Sequence, residues 1–211
     1  LNFLGVVGRG IVFLLGIEET TEIVRLVHVA EKGNLTTWFS AMLLLISSVL
    51  LGLIASAYHN QRKPYVKHWG FLSIVFFLMC LDESARIHEL TIEPLQTLFN
   101  ASGVFHYAWV ILAIPFLILL AVLYSKFILD LPGKSRMLFI IAGIVYVISA
   151  MGMDMIVGYF ISNNSAPRLL EPLLITVEEM GENLAIVLFI YALLSHIKSH
   201  ANISEIYLWL T

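Results

Sequence analysis

Residues 36–58 read TTWFSAMLLLISSVLLGLIASAY, a stretch without one charged side chain. About 20 apolar residues in helical form, rising about 1.5 Å each, cross a hydrocarbon core of about 30 Å. Backbone placed in that core must satisfy its own polar groups, and a helix does so within a single segment. The stretch is therefore expected to be a transmembrane helix, and the rest of the chain can be read with the same ruler.

Working outward, comparable runs cover roughly 68–89, 106–127, 137–162 and 170–196, and a shorter one covers 1–17. The first run holds Arg9 and several glycines. Small residues let helices approach closely in lipid, so it reads as a packed span and not as a cleavable signal peptide. The expected fold is all-α: an integral membrane helical bundle of about six transmembrane helices, forming one domain over residues 1–211. Pro115 is expected to kink the fourth span, where neighbouring helices can satisfy the freed carbonyl. Only 13% of the residues are charged, against roughly 25% in soluble domains. A net charge of -3 without a basic tract excludes nucleic acid as the partner. Cys80 is the sole cysteine, so no internal disulfide or cysteine-based zinc site can form.

The loops alternate in charge. Arg62, Lys63, Lys67, Lys126, Lys134, Arg136 and Lys198 fall on one side of the six-span arrangement, and only Arg25, Lys32 and Arg168 on the other. Basic loops stay in the cytoplasm, which puts both termini there and Glu18, Glu19, Glu22, Glu31 and Glu93 outside. Trp38, Trp69, Tyr107 and Trp109 lie near span ends, where amphipathic rings favour the headgroup region.

The informative residues are those a membrane helix avoids. Span three ends Leu81-Asp82-Glu83-Ser84-Ala85-Arg86-Ile87-His88-Glu89, span five contains Asp154, and span six contains Glu178, Glu179 and Glu182. A charge at the bilayer centre costs at least about 2.5 kcal/mol, so such residues face a protein interior and mark function. Spans three and five run outward and carry their carboxylates late; span six runs inward and carries its glutamates early. All three groups therefore belong to the outer half of the membrane, with His106 on the same side. On a continuous helix Asp82, Arg86 and Glu89 share one face, which lets Arg86 pair with either carboxylate, while His88 points about 120° away from Asp82.

Asp82, Glu83, Asp154, Glu178, Glu179 and Glu182 cannot all remain ionised around the single guanidinium of Arg86. Some share protons, or a bound cation compensates. The candidate site is thus Asp82, Glu83, His88, Asp154, Glu178 and Glu182, holding a metal or shared protons, with Arg86 as charge partner. A divalent metal ion is the cofactor this donor set would accommodate. Met79, Met151, Met153, Met155 and Met180 lie at similar depth; their alternating positions suit packing better than copper ligation.

Asn34-Leu35-Thr36-Thr37-Trp38-Phe39-Ser40, Leu81-Asp82-Glu83 followed by His88-Glu89, and the glutamates at 178, 179 and 182 resemble an uncharacterised family of bacterial multi-pass membrane proteins. That resemblance implies the architecture and a bacterial inner membrane, and transfers no activity. Ser84, His88, Asp154, His196 and His200 resemble the polar set of the alkaline ceramidase-like membrane hydrolases, in which Ser, Asp and three His serve a zinc-activated water. The chain departs from that pattern because the six-span topology puts His196 and His200 at the cytoplasmic end, away from His88.

Three functions follow, in order of preference. The first is proton- or cation-linked transport, for which intramembrane carboxylates are the usual means. The second is a metal-dependent membrane hydrolase acting on a lipid. The third is a non-catalytic subunit of a membrane complex. The bilayer is the expected partner, joined by further copies of the chain or by other subunits.

Overall fold

In the computed structural model the described residues are 35–163 and 170–200, and every regular element among them is helical. The run at 1–17 and the segment holding Glu18, Glu19, Glu22 and Glu31 lie outside the described residues. Helix α1 spans Leu35–Asn60 and α2 spans Val66–Ala85; two short helices follow, α3 at Ile87–Leu90 and α4 at Ile92–Phe99. A 3-10 turn at Gly103–Phe105 leads into α5, Val110–Asp130. Next comes α6, Gly133–Val147, which passes through a π turn at Ile148–Gly152 into α7, Met153–Ser162. The last helix, α8, runs Leu170–His200.

Four helical stretches are long and apolar enough to cross a membrane: Leu35–Asn60, Val66–Ala85, Val110–Asp130 and Gly133–Ser162. With 31 residues, α8 is the longest helix among the described residues and carries the glutamates in its first half.

Hydroxyl groups join α1 to α2. Ser48 Oγ donates to the Ser73 carbonyl at 2.7 Å, and Ser73 Oγ returns a bond to the Ser48 carbonyl at 2.8 Å. A Cβ on Gly52 would stand 3.2 Å from Ser73 Oγ, so the missing side chain is what permits this approach. The two helices turn back on each other through Arg62 and Tyr65, both with positive φ.

The largest apolar cluster lies toward this turn. It joins Leu51, Ile54 and Ala57 of α1, Trp69 and Leu72 of α2, Tyr124 and Phe127 of α5, Phe139 and Ala142 of α6, and Phe189, Leu193 and Ile197 of α8. Trp69 is 0% exposed and sits edge-on to Phe127 and Phe139, with ring centroids 4.9 and 5.9 Å away. It is therefore a core residue, where the sequence suggested a headgroup anchor; proximity to a span end does not reveal which way a ring points. Trp38, at 61% exposed, does face outward. Large apolar side chains also remain exposed along the helices, among them Phe116, Ile118, Leu119, Val122 and Leu123 of α5 and Ile140, Ile141 and Ile144 of α6.

Several boundaries differ from the runs read in sequence. The run at 68–89 is not one helix: α2 stops at Ala85 because Arg86 adopts φ 52, ψ 45. The run at 106–127 begins its helix at Val110, and the one at 137–162 begins at Gly133. In both cases the charge or hydropathy step along the chain is offset from the hydrogen-bonded ladder, which ends where caps and turns dictate. Pro115 lies inside α5.

Candidate functional site

The break at Arg86 shapes the site. A left-handed arginine carries no side-chain reason for that conformation and costs of order 1 kcal/mol. Its backbone N–H donates to the Asp82 carbonyl, ending α2, and the chain re-enters helix at once. The swing carries His88 back over Asp82. The His88 backbone N–H donates to Asp82 Oδ1 at 2.7 Å, and His88 Nδ1 lies 2.7 Å from Asp82 Oδ2. One carboxylate thus caps α3 and orients the imidazole together.

This corrects one expectation drawn from a continuous helix: Asp82 and His88 are paired, not turned 120° apart. Arg86 takes one of the two carboxylates open to it, binding Glu89 with Nη2 to Oε1 at 2.6 Å. Both partners of that ion pair are about a third exposed (37% and 30%), so its worth is small.

On the facing wall, the loop before α5 is anchored to α7. The Gly103 N–H donates to Ser162 Oγ at 2.9 Å. A Cβ on Gly158 would fall 2.9 Å from His106 Cβ and 3.2 Å from the Gly103 carbonyl, so only glycine allows the loop to lie this close. The loop delivers Trp109, whose indole N–H donates to Asp154 Oδ2 at 2.7 Å. The Trp109 ring stands 5.3 Å from the His88 ring, centroid to centroid. Asp82, His88, Trp109 and Asp154 therefore form a continuous polar–aromatic chain from α2 to α7.

The third wall is α8. A Cβ on Gly181 would come within 2.1 Å of Ser149 Oγ in the π turn, so the two helices meet closely here and leave no room for a side chain. Glu178, Glu179 and Glu182 flank the contact. π turns widen a helix by one residue and recur at functional sites; here Ala150 and Met151 of the turn border the same cavity as the glutamates.

That cavity has a volume of about 500 Å³. Asp82, Glu83, Arg86, His88, Asp154, Glu178 and Glu182 all line it, as do Glu89, Glu179, Tyr107, Trp109, Phe116 and Tyr146. Every residue named as a candidate from sequence borders one space. His106 does not; it faces Ser162, with Nδ1 3.4 Å from Oγ. The aromatic members went unrecognised, because Tyr107 and Trp109 near a span end look the same whether they face headgroups or turn inward. The tryptophan in the sequence next to a loop of small residues was the only available hint.

Two groups beside the cavity and outside the long helices are shifted. Burial pushes the His88 imidazole down, but its hydrogen bond to Asp82 and the charges of Asp82, Glu89 and Asp154 outweigh burial and hold it above the usual histidine range. Burial, then the charges of Asp154, Glu171 and Glu178, push the Tyr107 phenol up to about 12, so it stays a donor. Glu179 Oε2 is buried and has no hydrogen-bond partner among the described residues.

Among the described residues, no three of the His, Cys, Asp and Glu side chains are grouped to hold a metal ion. The cavity residues share a space without closing to coordination distance. The hydrolase-like set is divided as well. Ser84 donates to its own helix at the Cys80 carbonyl, 2.9 Å away. His196 is fully buried at the far end, 2.8 Å from Tyr58 Oη through Nε2 and 3.0 Å from Ser135 Oγ through Nδ1, with His200 stacked on it.

Compared with known proteins, the chain matches no curated protein and no solved structure. Residues 3–197 match the model of one family, described as Domain of unknown function (DUF8692), and the chain belongs to that family.

Proposed function

We propose that this chain is an integral membrane protein whose carboxylate-lined cavity binds a cation or shares protons, in the service of proton- or cation-linked transport. One observation carries the reading: acidic residues from α2, α7 and α8, far apart in sequence, border a single cavity of about 500 Å³. Carboxylates are expensive to hold in apolar helices, and gathering them around a space makes sense where positive charge enters it. The exposed apolar side chains along α5 and α6 suit contact with lipid.

Six spans with both termini cytoplasmic, the first within residues 1–17, would set the cavity in the outer half of a bacterial inner membrane. The basic residues Arg62, Lys63, Lys126, Lys134 and Arg136 then lie on the inner side.

The reading is tested in proteoliposomes containing a pH-sensitive dye. Wild-type protein is expected to collapse an imposed pH gradient when a permeant cation is supplied, and Glu182→Gln to remove most of that flux. Flux equal to that of protein-free vesicles would sink the proposal.

The hydrogen bond between Asp82 and His88 favours a second reading, a metal-dependent lipid hydrolase in which a carboxylate-oriented imidazole serves as general base. Elemental mass spectrometry separates the two. A stoichiometric metal lost in Glu182→Gln would move the hydrolase ahead; metal absent from both proteins would leave transport.

A further inference from the structure

The cavity is much larger than an inorganic cation requires. Its volume of about 500 Å³ is many times the roughly 30 Å³ that one water occupies in the liquid, and falls in the range of small-molecule sites.

Its polar inventory is one-sided. Ionised carboxylates only accept hydrogen bonds, and three of the donors beside them already pair with carboxylates of the wall, while the Tyr107 hydroxyl is a donor without charge. Arg86 serves Glu89, His88 serves Asp82 and the Trp109 indole serves Asp154. Glu179 Oε2, buried and without a partner among the described residues, is an acceptor waiting for a donor. The missing complement is positive charge that brings its own N–H groups.

Four aromatic rings share the lining with aliphatic side chains such as Met79, Leu117 and Val147. Tyr107, Trp109, Phe116 and Tyr146 border the same space. Ring faces attract organic cations and cover their carbon skeletons, whereas a divalent metal ion needs several convergent oxygen ligands and finds no three among the described residues.

We propose that the cavity's ligand is a small organic amine, a primary ammonium group or groups on an aliphatic skeleton, seated between the α8 glutamates and the Trp109–Asp154 wall, with Glu179 accepting one of its N–H bonds. This rests on the cation-binding reading above and narrows it. Two sources present this chemistry: a free amine and the headgroup of an aminolipid. Both belong in the test.

The experiment is isothermal titration calorimetry of the purified full chain in detergent and amine-free potassium cacodylate buffer. The probes are 1,4-diaminobutane, dihexanoyl phosphatidylethanolamine, tetramethylammonium chloride, sodium chloride and manganese chloride. Glu179→Gln and Asp154→Asn are titrated beside wild type, with monodispersity by size exclusion confirming that each folds. Saturable binding of the diamine or of the aminolipid is expected, at least about tenfold tighter than tetramethylammonium, which has no N–H to donate, and about tenfold weaker in Glu179→Gln. The stronger of the two primary amines identifies the source. Tetramethylammonium binding as tightly as the primary amines, or Glu179→Gln binding them unchanged, would overturn the proposal. Sodium or manganese binding without amine binding would overturn it while leaving a cation site in place. No binding by any probe, with proton flux retained in vesicles, would overturn it in favour of shared protons; with flux also absent, both proposals fall together.

Discussion

At Asp82 a single carboxylate performs two tasks, capping a four-residue helix and fixing an imidazole. The consequence is a pH dependence with a definite sign. His88 holds its proton above the usual range in the folded chain, so the stability it contributes is fully present below the ordinary histidine value of about 6.5 and is lost as pH rises through the raised value. Thermal unfolding followed from pH 5 to pH 9 is expected to show a midpoint falling across that window. In Asp82→Asn the fall should shrink or reverse, since burial alone pushes the imidazole down; an unchanged slope would mean the pair contributes nothing. The identity of the cavity residues was legible in the sequence, because Asp82, Asp154 and Glu182 stand out in apolar runs. Their pairing was not. It depends on Arg86 taking a left-handed conformation, and a non-glycine residue there leaves no mark in sequence. The helical wheel that turned His88 away from Asp82 failed at that one dihedral. Glu179's stranded oxygen was equally invisible, since partnership is decided by packing between elements distant along the chain.

Among the helices, closeness is governed by glycine. Gly181 lets α8 press against Ser149 of the π turn, where an added Cβ would lie 2.1 Å from Ser149 Oγ and 2.9 Å from Ser149 Cβ. Gly181→Ala is expected to destabilise the protein by about 1–3 kcal/mol, the usual cost of overpacking, read as a lowered unfolding midpoint. Adding Ser149→Ala should restore only part, because the contact with Ser149 Cβ remains; full restoration would mean that the hydroxyl was the whole obstacle. The existence of the helices could be read from apolar runs such as 36–58, since hydropathy and length together leave few alternatives. Their interruptions could not. Nothing in Ile148-Ser149-Ala150-Met151-Gly152 announces a π turn; it arises where α8 crowds the ladder. The start of α5 at Val110 was likewise hidden, because the loop before it is nearly as apolar as the helix.

Taken as a whole, the described residues divide between a dense aromatic end and a polar, hollow one. Trp69 ties the dense end together, touching Tyr58, Phe127, Phe139 and His196. Trp69→Ala is expected to cost about 3–5 kcal/mol, as large-to-small changes at fully buried aromatics do, and to lower the unfolding midpoint far more than Trp38→Ala at its exposed site. Equal effects of the two would place Trp69 outside the core. The all-helical class and the gathering of carboxylates toward one end followed from charge and hydropathy alone. The density of the other end did not, since Trp69 and His196 resemble ordinary interfacial residues until the helices are assembled.

The packed rings around Trp69 have one further consequence. On the transport proposal the cavity is a harbour, and its occupant meets these rings on the way across. Passage to the other side would then require the stack of Trp69, Phe127, Phe139 and Phe189 to part, bringing the occupant beside the Tyr58–His196–Ser135 triplet. Concerted repacking of that size belongs to the microsecond-to-millisecond range. Crossing would then be paced by the opening of this inner gate, and the harbour would fill and empty many times for every cargo that gets through.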